Sequence, residues 1–209
     1  MAEGTARTEA FSDGIFAIAI TLLVLEIHAP HAGGTYGLWN ALAAQWPSYF
    51  AFALSFFVIL VTWINHHDLL RLVRADSRRL QLANGLLMFY VASVPFPTAV
   101  LASHLEGTEI IPAVTLYCGT FVVGSLAWHL LFATIERDHL FRTEVNAQTI
   151  RHISRSIWMG LWVHVAAALL AQVLPWLALA LVAAVRLFFL HLSYQAVSSV
   201  FGQRDRHDP

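Results

Sequence analysis

The amino-acid sequence predicts an all-α integral membrane protein with six spanning helices and both termini on the cytoplasmic side. Three observations carry that prediction. Of its 209 residues, 58% are hydrophobic and only 12% charged, and the mean hydropathy is +0.63. A soluble domain of this size needs far more polar surface. Several apolar runs reach the ~20 residues that a bilayer core requires. The arginines, finally, alternate between successive connections, as the positive-inside rule demands of an even number of spans.

The runs cover about 10–27, 47–66, 80–103, 111–135, 153–173 and 175–195, within one domain at 1–198 that ends in a polar cytoplasmic tail, 199–209. The first carries Asp13 near its start and Glu26 at its end, and reads as a retained helix, not a cleaved signal. Trp39, Trp46 and Tyr49 precede the second, as suits the membrane interface. Pro95 and Pro97 should bend or end the third near its outer end. The fourth holds the single cysteine, Cys118, which reads as a small core residue with no disulfide partner in the chain. Only a short turn from Gln172 to Pro175 separates the fifth from the sixth, so these two form a tight hairpin, with Trp176 at the turn.

The connections set the topology. Residues 28–46 and 104–110 and the turn near 174 contain no arginine. Residues 67–79 carry Arg71, Arg74, Arg78 and Arg79, and residues 136–152 carry Arg137, Arg142 and Arg151, with Arg155 just beyond. The tail carries Arg204 and Arg206. The outer connections bear Glu106 and Glu109, which either concentrate cations modestly or simply solvate the loops. With a net charge of −1, the bulk electrostatics point to no nucleic-acid partner. There is no nucleophile–base set, no metal-ligand spacing and no nucleotide loop, so no enzyme is expected. No cofactor is expected either: the 11 histidines lack ligand spacing, and the adjacent His66 and His67 point about 100° apart on a helix. Arg186, His164 and His191 lie within or near apolar runs and could instead form a proton relay, which makes a proton-coupled or proton-conducting secondary transporter the alternative function.

The first helix is the most informative segment. Arg7 and Asp13 at the edge of an apolar span are unfavourable unless paired or hydrated. Either they snorkel to the interface or they join a buried polar network, in which Asp13 can accept from Arg7, from Ser12 of another copy, or from a histidine. Phe11, Gly14, Ile15, Ile18, Leu22 and Leu25 share one side of a 3.6-residue helix, with Thr21 at its margin. Periodicity alone does not say what that side faces.

The pattern Arg-x-x-x-Phe-Ser-Asp-Gly, at Arg7 and Phe11 to Gly14, runs on into Phe-Ala-Ile-Ala-Ile-Thr-Leu-Leu-Val-Leu-Glu, ending at Glu26. Two further stretches accompany it: Ser55-Phe56 with Trp63-Ile-Asn-His66-His67, and Asn84-Gly-Leu-Leu with Val94-Pro95-Phe96-Pro97-Thr98. Together they resemble the bacterial transmembrane protein 175 family over about the first half of the chain; the second half agrees in hydropathy and helix count alone. The resemblance implies a potassium-permeable, leak-type channel in the cell membrane, built as a homotetramer in contact with lipid, with potassium as the permeant species. It implies a pore lined by the first helix, with Ile18, Thr21, Leu22 and Leu25 facing the axis, and no carbonyl filter. Rings of Ile and Leu would close such a pore by dewetting, and selectivity over sodium would be weak to moderate. Arg7, Phe11, Ser12, Asp13 and Gly14 would be structural, with Trp63, His66 and Asn84 as candidate partners at the same helix ends.

Overall fold

The computed structural model describes residues 5–30 and 37–201, with side chains described up to residue 190. Arg204 and Arg206 of the expected tail, and the side chain of His191, lie outside the described residues. The described chain is helical: α1 (Ala6–Leu22, tightening into a 3-10 turn at Leu23–Glu26), α2 (Gly37–Ala44), α3 (Trp46–Arg71), α4 (Arg78–Ser93), α5 (Pro95–His104), α6 (Ile110–Arg137), α7 (Ala147–Leu170) and α8 (Pro175–Phe201). Among the described residues, five helical segments are long and apolar enough to cross a membrane: Ala6–Glu26, Trp46–Arg71, Arg78–His104, Ile110–Arg137 and Ala147–Leu170. Pro175–Leu190 of α8 is a shorter apolar stretch. The chain is therefore a multi-pass membrane protein.

Local chemistry sets the helix ends. Pro47 stands in the first turn of α3, where its missing N–H is not needed. Ser77 and Asn146 cap α4 and α7, accepting from the backbone N–H of Leu80 (3.1 Å) and Thr149 (2.8 Å). The apolar run of the third expected span is built from two helices: α4 stops at Ser93, and Pro95 opens α5 just beyond Val94. The short α2 lies within the stretch read from sequence as a plain connection; its Trp39 is almost fully exposed. Threonines inside the apolar helices, such as Thr62, Thr115 and Thr120, donate to the carbonyl four residues back, which satisfies their hydroxyls without water.

α6 runs through the middle of the bundle and packs on α4, α5, α7 and α8. α3 is sandwiched by α5 and α8, and α1 lies outside, on α3 and α4. The core is a continuous apolar cluster that includes Phe16, Leu23, Leu87, Leu101, Tyr117 and Phe121. The surface is also apolar, with Leu82, Phe89, Phe96, Trp162 and Leu169 all exposed, as befits a bundle bathed in hydrocarbon or partner subunits.

The two ends of the bundle differ in chemistry. At the arginine-rich end, the α3–α4 and α6–α7 connections are joined by an isolated antiparallel bridge between Val73 and Phe141. Backbone bonds Arg74 N–H to Leu140 O and Arg142 N–H to Leu72 O, both 2.9 Å, flank it. Arg142 Nε donates to the Arg71 carbonyl at 2.8 Å, and Arg79 pairs with Asp138 at 3.3 Å. At the opposite end, the Trp46 indole donates to Glu106 (2.6 Å) and stacks on Trp176 with centroids 6.2 Å apart. This girdle fixes the start of α3 level with the start of α8.

A close approach of α4 and α6 depends on Gly124. A Cβ there would sit 2.5 Å from the buried Tyr90 ring. Gly124→Ala is expected to destabilise the bundle by about 1–3 kcal/mol through overpacking, read as a lower thermal unfolding temperature in detergent. Gly119→Ala, on the same helix with open space around it, should leave that temperature unchanged or slightly raised.

Candidate functional site

α1 is divided lengthwise. Thr8, Ser12, Phe16, Ala19 and Leu23 form the packed stripe. Phe11, Gly14, Ile18, Thr21, Leu22 and Leu25 are exposed on the other side, Ile18 at 60% and Leu25 at 64%. Ile15, grouped with this side in the sequence, is half-buried and packs on the core. The Thr21 hydroxyl donates to the Ile18 carbonyl at 2.9 Å, so in this state its hydrogen is spent on its own helix.

A chain of polar contacts holds the packed stripe in place. The Ser12 hydroxyl donates to the Thr8 carbonyl (2.8 Å) and accepts from the Asn84 amide of α4 (2.9 Å). Asn84 Oδ1 accepts from His66 Nε2 of α3 at 2.7 Å. Because Asn84 Oδ1 is acceptor only, this contact places the proton on Nε2. All three side chains are at least 98% buried. Phe16 and Trp128 flank the imidazole ring, with centroids at 5.5 and 6.3 Å. The network therefore ties α1, α3 and α4 together at one depth, through residues that the sequence motifs single out.

Asp13 sits one residue further round and accepts from the Trp63 indole of α3 at 2.8 Å. Of the partners that the sequence offers it within the chain, neither Arg7 nor a histidine takes this place, and Ser12 is buried against Asn84 of its own chain. Arg7 is exposed and forms no ion pair with Asp13. Lower down, Thr8 donates to Asp76 of the α3–α4 connection at 2.6 Å, and Gln81 donates to the same carboxylate oxygen at 3.0 Å. Sequence reasoning missed the Thr8–Asp76 contact. The signal available was a hydroxyl one turn before Ser12, on the same helix face.

A second network crosses the core nearer the other end. The Ser55 hydroxyl of α3 lies 2.9 Å from the Tyr117 hydroxyl of α6 and 2.7 Å from that of Thr98 of α5, and Thr98 in turn bonds the Val94 carbonyl at 2.8 Å. That carbonyl lies at the α4–α5 break, where Pro95 and Pro97 supply no N–H. Ser55 and Thr98 belong to sequence motifs, but nothing in those motifs says that the two meet. No cluster of His, Cys, Asp and Glu among the described residues could hold a metal ion.

The arrangement is that of a membrane channel subunit: a lipid-soluble bundle that anchors one helix by a buried stripe and leaves that helix's opposite side bare. Residues 7–95 match the family model for the endosomal/lysosomal potassium channel TMEM175. The chain is 47% identical over 147 residues to a potassium channel of Streptomyces collinus, covering 69% of this chain and 71% of that one. It is 37% identical over 188 residues to a potassium channel of Chamaesiphon minutus, covering 88% of this chain and 93% of that one. The crystal structure of a lysosomal potassium-selective channel TMEM175 homolog from Chamaesiphon minutus superposes with a TM-score of 0.80 at 37% identity, over 90% of this chain and 97% of that one. The chain belongs to the TMEM175 family. That family is one of ion channels, and the protein is not an enzyme.

The buried chain makes a graded prediction. Asn84→Ala strands the His66 and Ser12 groups without water and is expected to lower stability by about 1–3 kcal/mol. Trp63→Phe keeps the ring but removes the N–H to the exposed Asp13, and should lower it by about 1 kcal/mol or less. In a double-mutant cycle of thermal unfolding, Ser12→Ala and Asn84→Ala should be clearly non-additive.

Proposed function

We propose that four copies of this chain assemble around the bare side of α1 to form a potassium-permeable pore in the cell membrane. The observation that carries the reading is the lengthwise division of α1. Its buried polar anchors, Thr8 and Ser12, lie on the packed side, and Phe11, Gly14, Ile18, Leu22 and Leu25 are left exposed in the subunit. The relatives in Streptomyces collinus and Chamaesiphon minutus are named potassium channels, which supports potassium as the permeant ion. In this reading the arginine-rich end is cytoplasmic, α8 is the sixth span, and both termini face the cytoplasm.

Rings of Ile18, Leu22 and Leu25 around a four-fold axis would form a narrow apolar constriction. Water leaves such a constriction, and hydrated ions with it, so the resting pore is closed by dewetting. Potassium sheds its hydration shell more readily than sodium, and this favours it where side chains offer no replacement ligands. The selectivity that results is weak to moderate. The Thr21 hydroxyls next to the constriction keep two acceptor lone pairs each while donating to Ile18, and can face a passing cation with those.

The test is a cation flux assay on purified protein in liposomes. Wild-type protein should pass potassium faster than sodium. Ile18→Asn and Leu22→Ala, which wet or widen the constriction, should raise total flux severalfold and flatten the difference between the two ions. Absence of flux in all three, from protein shown to be folded and oligomeric, would remove the reading. The human relative, 35% identical over 97 residues, is named an endosomal/lysosomal proton channel; a pH-sensitive dye inside the same liposomes measures whether protons share the path.

A further inference from the structure

A second site lies inside the subunit, away from α1. A cavity of about 130 Å³ opens between α3, α6, α7 and α8. Its polar lining includes Asp68, Ser125, His152, His164 and Arg186, and the remaining walls are largely apolar. Arg186 is 6% exposed and His164 is 3% exposed. Arg186 Nε and His164 Nε2 are both buried without a hydrogen-bond partner, and both residues line this one space.

The guanidinium is held in place by neutral groups. It lies over the Phe121 ring, 5.2 Å from its centroid, and near the Tyr90 hydroxyl. His164 Nδ1 is 2.8 Å from the Ser125 hydroxyl. The acid on the cavity wall, Asp68, is far down the bundle. Trp46 and Trp176 stack, so α3 and α8 start level. At 1.5 Å per residue, Asp68 then lies roughly 16 Å nearer the arginine-rich end than Arg186. Asp68 also has an interaction of its own.

A buried positive charge whose Nε has no partner is strongly unfavourable at this depth unless something negative joins it. Buried polar nitrogens left without partners beside a roomy cavity, here a donor on Arg186 and the outer ring nitrogen of His164, are the mark of a bound water or ion. We propose that this cavity binds a small, weakly hydrated monovalent anion of the halide type, held by Arg186 with His164 and Ser125 beside it. One negative charge neutralises the one guanidinium. The apolar walls favour an anion that gives up its water readily, and a cavity of about 130 Å³ holds it with several waters. No residue of α1 lines the cavity, so the anion is separate from the bare side of that helix.

The test uses the full-length protein in detergent and does not depend on cation flux. Exchanging chloride for gluconate at constant ionic strength should lower the thermal unfolding temperature, and titrating chloride back should restore it saturably, by about 4 °C at tenfold above the Kd. Arg186→Gln should abolish that chloride dependence. Crystals of the wild type grown in bromide should show an anomalous peak between Arg186 and His164, an outcome that stands even if the variant fails to fold. No chloride dependence together with an empty cavity in bromide would overturn the proposal. So would protection that follows added anionic lipid and ignores halide, which would place a headgroup there.

Discussion

Inside a bilayer, a hydroxyl, amide or imidazole that loses its partner has no water to turn to, and this constraint organises the bundle. Ser12, Asn84 and His66 satisfy one another across three helices, and each has a single good arrangement. Fixing Ser12 fixes the rotation of α1 about its own axis. That rotation decides which residues meet the core and which are left bare. The pattern of Ile18, Leu22 and Leu25 is thus a consequence of a polar chain two turns below it. Apolar packing alone would define the rotation less sharply, because Ile and Leu surround most of this helix and one apolar face packs nearly as well as another.

Much of this was legible in the sequence, for an identifiable reason. Polar residues in an apolar run are rare and must be accounted for, so Ser12, Asp13, Trp63, His66 and Asn84 stand out by residue type and position alone. Which of them pair was not legible. Asp13 had several possible donors, and only the approach of α3 to α1 selects the Trp63 indole. Tyr117 was invisible as a functional group, since one tyrosine in a 28-residue apolar helix looks like core until Ser55 and Thr98 are brought to its hydroxyl. The α4–α5 break was foreshadowed by Pro95 and Pro97, because proline acts on the backbone locally. The short α2 was not, because a helix of eight residues leaves no periodic trace.

The two intramembrane histidines near α6 illustrate how one residue type takes different roles by position. His129 bonds the Ser125 carbonyl of its own helix at 2.9 Å and stands edge-on to Trp158, centroids 4.4 Å apart, at the half-exposed rim. His164 crosses to α6 and ends on the wall of the internal cavity. Gly160, one turn before His164, gives space to the Phe189 ring: a Cβ there would come within 2.8 Å of it. α7 and α8 therefore meet closely at the depth of Arg186, and the hairpin at Gln172 holds this register through its 2.6 Å bond to Thr115 of α6.

The Val73–Phe141 bridge gives the subunit a stiff base. Through it the α6–α7 connection grips the α3–α4 connection, and through Asp76 that connection grips Thr8. The lower turns of α1 are thus riveted to the floor by Thr8, Ser12 and Asp13, whereas above Gly14 the helix packs on its neighbours mainly through the apolar Phe16, Ala19 and Leu23. Gly14 marks the boundary, and has no neighbour that a Cβ would touch. The helix is pinned by directional bonds at its foot and held by apolar packing toward its tip, where Leu23 is fully buried. A shift near Leu25 therefore needs no hydrogen bond at the foot to break, only apolar contacts to slide.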